Sequence, residues 1–395
     1  MRPLADRTKG LVQSNIRAVT LMLKDSGGIN LGQGICDMPT PPSIKEAAKK
    51  AIDEDESIYS YYGGIDSLRD SLVVKSSTYN KIPVSSPEEV MVTVGSTGAF
   101  VTTMFCLLNS GDEVIVFEPF YGYHINLLQV MGAQIRFIPT RPPNWEIPFD
   151  AIEQAITEQT RAIILNTPGN PHGKVWTHEE LARLLVILEK HDLYAITDEI
   201  YEYMLYDGRA HCSLAALPGA FDRTITISGF SKTYNMTGWR IGYAIGPEPI
   251  ISKMGLLADL LYICSPTPLQ HGVAAAFKMN NRYFDDLASA YDQKRTLMCS
   301  TLDEVGFDLS WPQGSYYVLA DFSPLRDRLK GFKDDVEACQ TLIQKARVGT
   351  VPGHSFFDNP RDGQSFLRFC FAKELDVLQS ACSQLKEALS STRSA

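Results

Sequence analysis

A lysine a few residues beyond a buried apolar run, with an arginine eight residues further on, can combine covalent chemistry with anion binding; residues 228–242, SGFSKTYNMTGWRIG, place Lys232 and Arg240 in that relation. A lysine amine poised by its surroundings can form a Schiff base, and an arginine among hydroxyl groups can hold a phosphate. By itself such a lysine is more often a solvated surface charge, so the neighbours carry the argument. A second feature is the run VMVTV at Val90–Val94 followed by Gly95, Ser96 and Thr97. Backbone N–H groups at a helix start, with small side chains allowing close approach, form an anion site. A third is Arg368 inside the apolar run SFLRFCF. A buried guanidinium needs an anionic partner, which an internal carboxylate or a ligand could supply.

Elements that would position these residues recur along the chain. Val90–Val94, Glu113–Phe117, Gln134–Ile138, Arg161–Leu165, Leu193–Thr197, Thr224–Ile227 and Trp239–Ile245 read as buried strands separated by helical stretches. Runs without clean alternation predict a mostly parallel sheet covered on both faces, hence an α/β core. His178–His191 carries apolar residues at helical spacing, with Thr177 as its N-cap. Beyond about residue 285 the texture changes to a long charged helix from Tyr283 to Val305, a strand at Ser315–Asp321, a helix near Asp334–Ala346 and a strand at Ser365–Phe371. The expected organisation is a large domain over 45–285 with a seven-stranded sheet, and a smaller α+β domain built from 1–44 and 286–395. In such sheets ligands sit beyond the carboxyl ends of the strands, where the reactive residues above fall.

Composition narrows the function classes. The chain has 395 residues, with Lys plus Arg at 37 against Asp plus Glu at 46, a net charge of -9 that disfavours a nucleic-acid partner. No apolar run reaches the ~20 residues of a membrane span, and the N-terminus lacks the pattern of a secretory signal, so a cytoplasmic protein is expected. The 8 cysteines show no CxxC pair and no Cys/His spacing for zinc, so they are expected to be mostly reduced and buried, and no metal is expected.

GFSKTYNMTGWRIGY resembles the lysine signature of class I/II aminotransferases, pyridoxal-phosphate enzymes of fold type I. The resemblance extends to INLGQG at 29–34, YYGGIDSLRDSL at 61–72, VTVGSTGAF at 92–100, EPFYGY at 118–123, NTPGNPHG at 166–173, DEIYEYMLYDG at 198–208 and FLRFCFA at 366–372. It implies that Lys232 holds pyridoxal phosphate as a Schiff base and later moves a proton, while Asp198 faces the pyridine nitrogen. Asn170 and Tyr201 would meet the ring hydroxyl, and Tyr121 would stack on the ring. Ser96, Thr97, Ser231 and Arg240 would hold the phosphate; relatives often carry a serine where this chain has Gly229, and Ser228 is one place displaced. Tyr59 would reach the phosphate of a partner, implying a homodimer with shared active sites, although Tyr61 and Tyr62 offer other registers. Arg368 and Gly34, with Asn170, would bind the substrate carboxylate.

The activity this implies is transfer of an α-amino group from an L-amino acid to a 2-oxo acid. A pyridoxal-phosphate lyase or cyclase on a polar or guanidino amino acid remains the alternative, and a non-catalytic regulatory relative is disfavoured by the intact residue set. Asp259 is the only charge in ADLLYICSPTPLQ, where relatives acting on dicarboxylates often present an arginine. Aspartate is therefore not the expected donor, and Asp259 is a candidate reader of a cationic or polar side chain. Cys36 stands where the family commonly has a GxPDF-like run.

Overall fold

The computed structural model describes residues 2–9, 11, 15–24 and 27–390; residues 391–395 of the polar tail lie outside the described residues. Strands are β1 (Ile29–Asn30), β2 (Val90–Val94), β3 (Glu113–Glu118), β4 (Gln134–Pro139), β5 (Thr160–Asn166), β6 (Tyr194–Asp198), β7 (Thr224–Gly229) and β8 (Ile241–Ile245), followed by β9 (Asp308–Leu309), β10 (Tyr317–Asp321), β11 (Val348–Gly349), β12 (Val351–Pro352) and β13 (Phe366–Cys370). The helices of the first half are α1 (Asn15–Lys24), α2 (Pro42–Asp53), α3 (Asp66–Thr78), α4 (Gly95–Leu107), α5 (Gly122–Met131), α6 (Phe149–Ala155) and α7 (His178–Lys190). The second half has α8 (Glu248–Tyr262), α9 (Thr267–Ala276), α10 (Arg282–Val305), α11 (Asp335–Ala346), α12 (Pro360–Gly363) and α13 (Leu375–Ser390).

Seven strands form one sheet in the order β2-β8-β7-β6-β5-β3-β4, parallel throughout except for β8, which runs antiparallel to both β2 and β7. The fold is α/β, with the large mostly parallel sheet that the apolar runs predicted. Its central strands are buried on both faces, as Ile115, Ile163 and Ile196 illustrate, which is why they read as continuous rather than alternating runs. Because β2, β5, β6 and β7 point the same way, their carboxyl ends share one edge of the sheet.

The element limits differ from the expectation where the backbone turns left-handed. The strand expected from Trp239 begins at Ile241, because Arg240 sits at φ 58 and closes a 3-10 turn over Thr237–Trp239. Likewise Ser315, at φ 62, cannot extend β10, which starts at Tyr317. Helix α7 does start at a capping box: the Thr177 side chain accepts from the Glu180 N–H, and Glu180 accepts from the Thr177 N–H.

Strands β12, β13, β10 and β9 form an antiparallel sheet in that order, and β1 pairs in parallel with β11. One apolar cluster joins Leu31 to residues of β10, β13, α10, α11 and α13, and it also takes in Ile200, Tyr201, Met204 and Tyr206 from the segment after β6. Tyr201 is thereby held between the two sheets.

A further tie runs through the turn Gly353–Phe356, whose Phe356 carbonyl accepts from the Phe120 N–H at 2.9 Å. Its His354 Nδ1 lies 2.7 Å from Asp335 Oδ2, which also accepts the His354 N–H. The Asp335 carboxylate raises the His354 pKa, with burial opposing it. A folded value above the unfolded one of about 6.5 stabilises the protein fully below that pH, and the contribution is lost as pH rises through the folded value. The stability gap between the native chain and His354→Gln should therefore be larger at about pH 5.5 than at about pH 9 in urea titrations. Equal gaps would show that the pair contributes nothing through its charge.

Candidate active site

Asp198 is the last residue of β6, so its side chain emerges at the shared strand edge. One carboxylate oxygen accepts from the Ile200 N–H at 3.3 Å and the other lies 3.2 Å from His124 Nε2. His124, in the first turn of α5, is 6% exposed, stacked on Phe100 at 4.3 Å and edge-on to Tyr121 at 5.2 Å. The sequence reading missed His124, since a single histidine after EPFYGY carries no spacing signal.

At the end of β5, Asn166 Nδ2 donates to the Asp198 carbonyl at 2.9 Å and its Oδ1 accepts from the Asn170 N–H at 2.7 Å. Asn170 Oδ1 in turn accepts from Arg368 Nη1 at 2.9 Å. Asn166 is thus a second residue the motifs contained but the sequence did not single out. It fixes the loop that aims Asn170.

Arg368, on β13, is 1% exposed, and its Nη2 donates to the Gly32 carbonyl at 2.6 Å. Its guanidinium lies over the rings of Tyr317 at 4.3 Å and Phe356 at 5.0 Å, while Nε has no partner. Among the described residues no carboxylate lies within ion-pair distance of it, so the internal salt bridge left open above is absent there. A buried charge balanced only by neutral dipoles and ring faces is costly to hold. Gly34 stands nearby, and a Cβ on it would lie 1.7 Å from the Tyr317 hydroxyl. No other residue fits.

Lys232 follows β7 and its Nζ donates to the Gly34 carbonyl at 3.0 Å. Burial pushes its amine pKa down; Cys36 and Cys370 oppose this, and the charges of Arg368 and Arg240 add to it. Helix α4 begins directly at Gly95, bringing Ser96 and Thr97 to the end of β2. Gly95 sits at φ 66, and a Cβ there would meet Arg240 Nη2 at 2.5 Å, so the glycine lets the guanidinium lie against the helix start. Arg240 Nη1 donates to the Thr237 carbonyl at 2.9 Å.

These groups open onto one cavity of about 610 Å³, lined by Gly34, Ser96, Thr97, Tyr121, His124, Asn166, Asn170, Asp198, Tyr201, Lys232, Arg240 and Arg368, among others. Tyr201 meets Tyr316 and Tyr317 edge-on at 5.1 and 6.0 Å, and burial drives its phenol pKa well up. Ser231 is buried and is not part of the lining, and Ser228 points into a separate network, donating to Glu202 at 3.0 Å. In that network Glu202 pairs with Lys75 at 2.6 Å and accepts from Asn80 and Tyr243, while Glu199 accepts from Thr197 and Ser213 beside His211. It anchors the turn that carries Tyr201.

Three sequence candidates lie elsewhere. Tyr59 is 75% exposed and lines no part of the cavity of its own chain. Asp259 is exposed on α8 and likewise outside the lining, so within this chain it does not read a substrate. Cys36 lies behind the cavity wall, its Sγ 3.2 Å from the Tyr291 hydroxyl.

A family model described as aminotransferase class I and II matches residues 26–385. The chain belongs to this family. It is 32% identical over 403 residues to human kynurenine--oxoglutarate transaminase 3, covering 95% of this chain and 88% of that one. It is 32% identical to aromatic-amino-acid aminotransferase 2 of Thermococcus litoralis, with 98% of each covered. Among solved structures, an Escherichia coli methionine aminotransferase superposes with a TM-score of 0.92 at 28% identity, covering 98% of this chain and 100% of that one. N-Succinyldiaminopimelate aminotransferase from Mycobacterium tuberculosis gives 0.92 at 32% identity, with the same coverage.

Members of this family are pyridoxal-phosphate enzymes, and the cavity fits that group. Lys232, Arg240 and Arg368 face it against the single carboxylate of Asp198, and the α4 amides open at its edge, a donor set suited to an anionic aldehyde. Gly95→Ala would place a methyl against Arg240. It should weaken pyridoxal phosphate binding about tenfold or more while sparing pyridoxal, as equilibrium dialysis would show. Equal losses for both would mean that Arg240 does not serve the phosphate.

Proposed function

We propose that this aminotransferase carries its cofactor on Lys232 and accepts an L-amino acid donor with an uncharged side chain, passing the amino group to a 2-oxo acid. The observation that carries the reading is Arg368, buried and without a carboxylate partner in the cavity that Lys232 enters. It is placed to take the α-carboxylate bidentately, with Asn170 and the bare Gly34 backbone beside it. Pyridoxal phosphate, when bound, supplies a carbonyl carbon that takes up amines and a ring that withdraws electrons from Cα.

The remaining roles fall to the chain. Asp198, held by His124, keeps a proton on the pyridine nitrogen. With the group bound, Tyr201 and Asn170 would donate to its ring hydroxyl, and Tyr121 would pack against the ring. Ser96 and Thr97, through backbone amides, and Arg240 would hold the phosphate; Ser231 is buried outside the lining. The Lys232 Nζ, its pKa pushed down by burial, would move the proton from Cα.

Leu11, Ile35, Val101, Leu127 and Val130 make the rest of the wall largely apolar. Its charged side chains among the described residues, Lys232, Arg240, Arg368 and Asp198, already have tasks, leaving none for a second carboxylate or a side-chain cation. The named transaminases among the relatives favour transfer over elimination or cyclisation.

The arrangement also supports a homodimer. Ile58, Tyr59, Leu256, Leu260, Leu261 and Ile263 are exposed, and the Thr267 hydroxyl ties the Tyr59 loop to α9 through the Ile58 carbonyl at 2.7 Å. Tyr62 packs on Gly255, and Tyr61 stacks on Tyr62 beneath Arg69, which leaves Tyr59 as the tyrosine to enter a partner's site. The division into 45–285 and 1–44 with 286–395 rests on the β1–β11 pairing. A cytoplasmic location agrees with cysteines that are all free; among the described residues no helix is long and apolar enough to cross a membrane.

Lys232→Ala should abolish the imine absorbance and reduce kcat by several orders of magnitude; an unchanged band would overturn the reading. With 2-oxoglutarate as acceptor, phenylalanine should exceed aspartate and arginine in kcat/KM. A clear preference for either charged donor would refute the uncharged pocket. Sedimentation should give twice the chain mass, and a monomer with full activity would remove Tyr59 from the site.

A further inference from the structure

The Gly34 carbonyl accepts two hydrogen bonds at once. Lys232 Nζ donates to it at 3.0 Å, and the Tyr316 hydroxyl donates to it at the same distance. Tyr316 is fully buried, and its ring centroid lies 5.6 Å from the Lys232 nitrogen. Its position is fixed by aromatic neighbours: Tyr317 at 4.7 Å, Tyr201 edge-on at 5.1 Å and Tyr291 stacked at 5.8 Å. Burial drives its phenol pKa well up. The hydroxyl therefore stays protonated and remains a donor.

A carbonyl oxygen has two lone pairs, and two donors sharing it compete for the same electron density. The competition is unequal between the protonation states of Lys232, because an ammonium gains more from an acceptor than a neutral amine does. We propose that Tyr316 is a positioning residue that acts on Lys232 through Gly34: by occupying half of the carbonyl, it limits how firmly the ammonium is held and keeps the amine available as a neutral base. The proposal rests on the reading of Lys232 as the reactive amine. Neither NTPGNPHG nor the lysine signature contains Tyr316; only the folded geometry brings it there.

Other ionisable groups face the Lys232 amine from each neighbouring element: Cys36 from the loop after β1, Cys370 and Arg368 from β13, and Arg240 before β8. All of them remain when the Tyr316 hydroxyl is removed. Tyr316→Phe keeps the ring and deletes one donor, so the carbonyl turns wholly to Lys232 and favours its charged form. The amine titration then moves to higher pH.

Trace acetylation of the cofactor-free protein with acetic anhydride, read at the Lys232 peptide by mass spectrometry across pH, reports that titration without any turnover. Tyr316→Phe should shift the midpoint to higher pH and lower Lys232 labelling below the midpoint, by at most about fivefold, the worth of one whole ordinary hydrogen bond. Tyr291→Phe also deletes a buried phenol, but one that meets Cys36 rather than Gly34, and should not shift the midpoint to higher pH. Replacing Tyr316 with 2,3-difluorotyrosine, a stronger donor of unchanged shape, should shift it to lower pH, a measurement that remains if the phenylalanine variant misfolds. An unmoved midpoint in both Tyr316 variants, or an equal shift in Tyr291→Phe, overturns the proposal. Loss of the imine band in Lys232→Ala tests the underlying reading separately, so the two can fail independently.

Discussion

The site depends on a guanidinium that the fold buries without giving it a carboxylate among the described residues. Arg368 is embedded in a strand, covered by aromatic rings and bonded only to a backbone carbonyl and an amide oxygen. Removing a charge from water costs several kcal/mol unless it is paired, so the surrounding structure must be rigid enough to hold it until an anion arrives. That rigidity comes from the chain of amides running from Arg368 through Asn170 and Asn166 to the Asp198 carbonyl. One hydrogen-bonded line thus connects the two residues proposed to meet a substrate carboxylate and a ring nitrogen, Arg368 and Asp198.

Parallel strands explain why so few residues suffice. Their carboxyl ends present Asn166, Asp198 and the loop to Lys232 side by side, and the turn into α4 adds amides pointing the same way. The single antiparallel strand, β8, returns the chain beside β2, and the left-handed backbone at Arg240 swings its side chain onto the helix start. The buried Lys75–Glu202 pair then fastens the Tyr201 turn from behind.

Much of this was legible in the chain. Buried strands announced themselves as apolar runs, and the lysine, arginine and asparagine motifs carried spacing tight enough to suggest chemistry. Strand limits at Trp239 and Ser315 were not legible, because positive φ at non-glycine residues leaves little trace in residue type. His124 and Tyr316 were missed for a different reason. Each acts through a contact with residues distant in sequence, Asp198 and Gly34, and no local pattern encodes it. Asp259 stands exposed on α8, outside the cavity of its own chain, as an isolated charge on the wet side of a helix would. Ser231 and Tyr59 lie outside the lining because a position in a motif does not specify which way its side chain points.

The loop after β1 has a consequence beyond the groups it displays. Arg368 holds Gly32, Tyr316 holds Gly34, Tyr291 meets Cys36 and Lys373 pairs with Asp37, and all four of these partners come from the chain beyond residue 286. The loop therefore lies where residues beyond 286 hold it. Guanidinium, carbonyl and the Ile35 wall are thus spaced by contacts to one part of the chain rather than by the two-residue strand that precedes them.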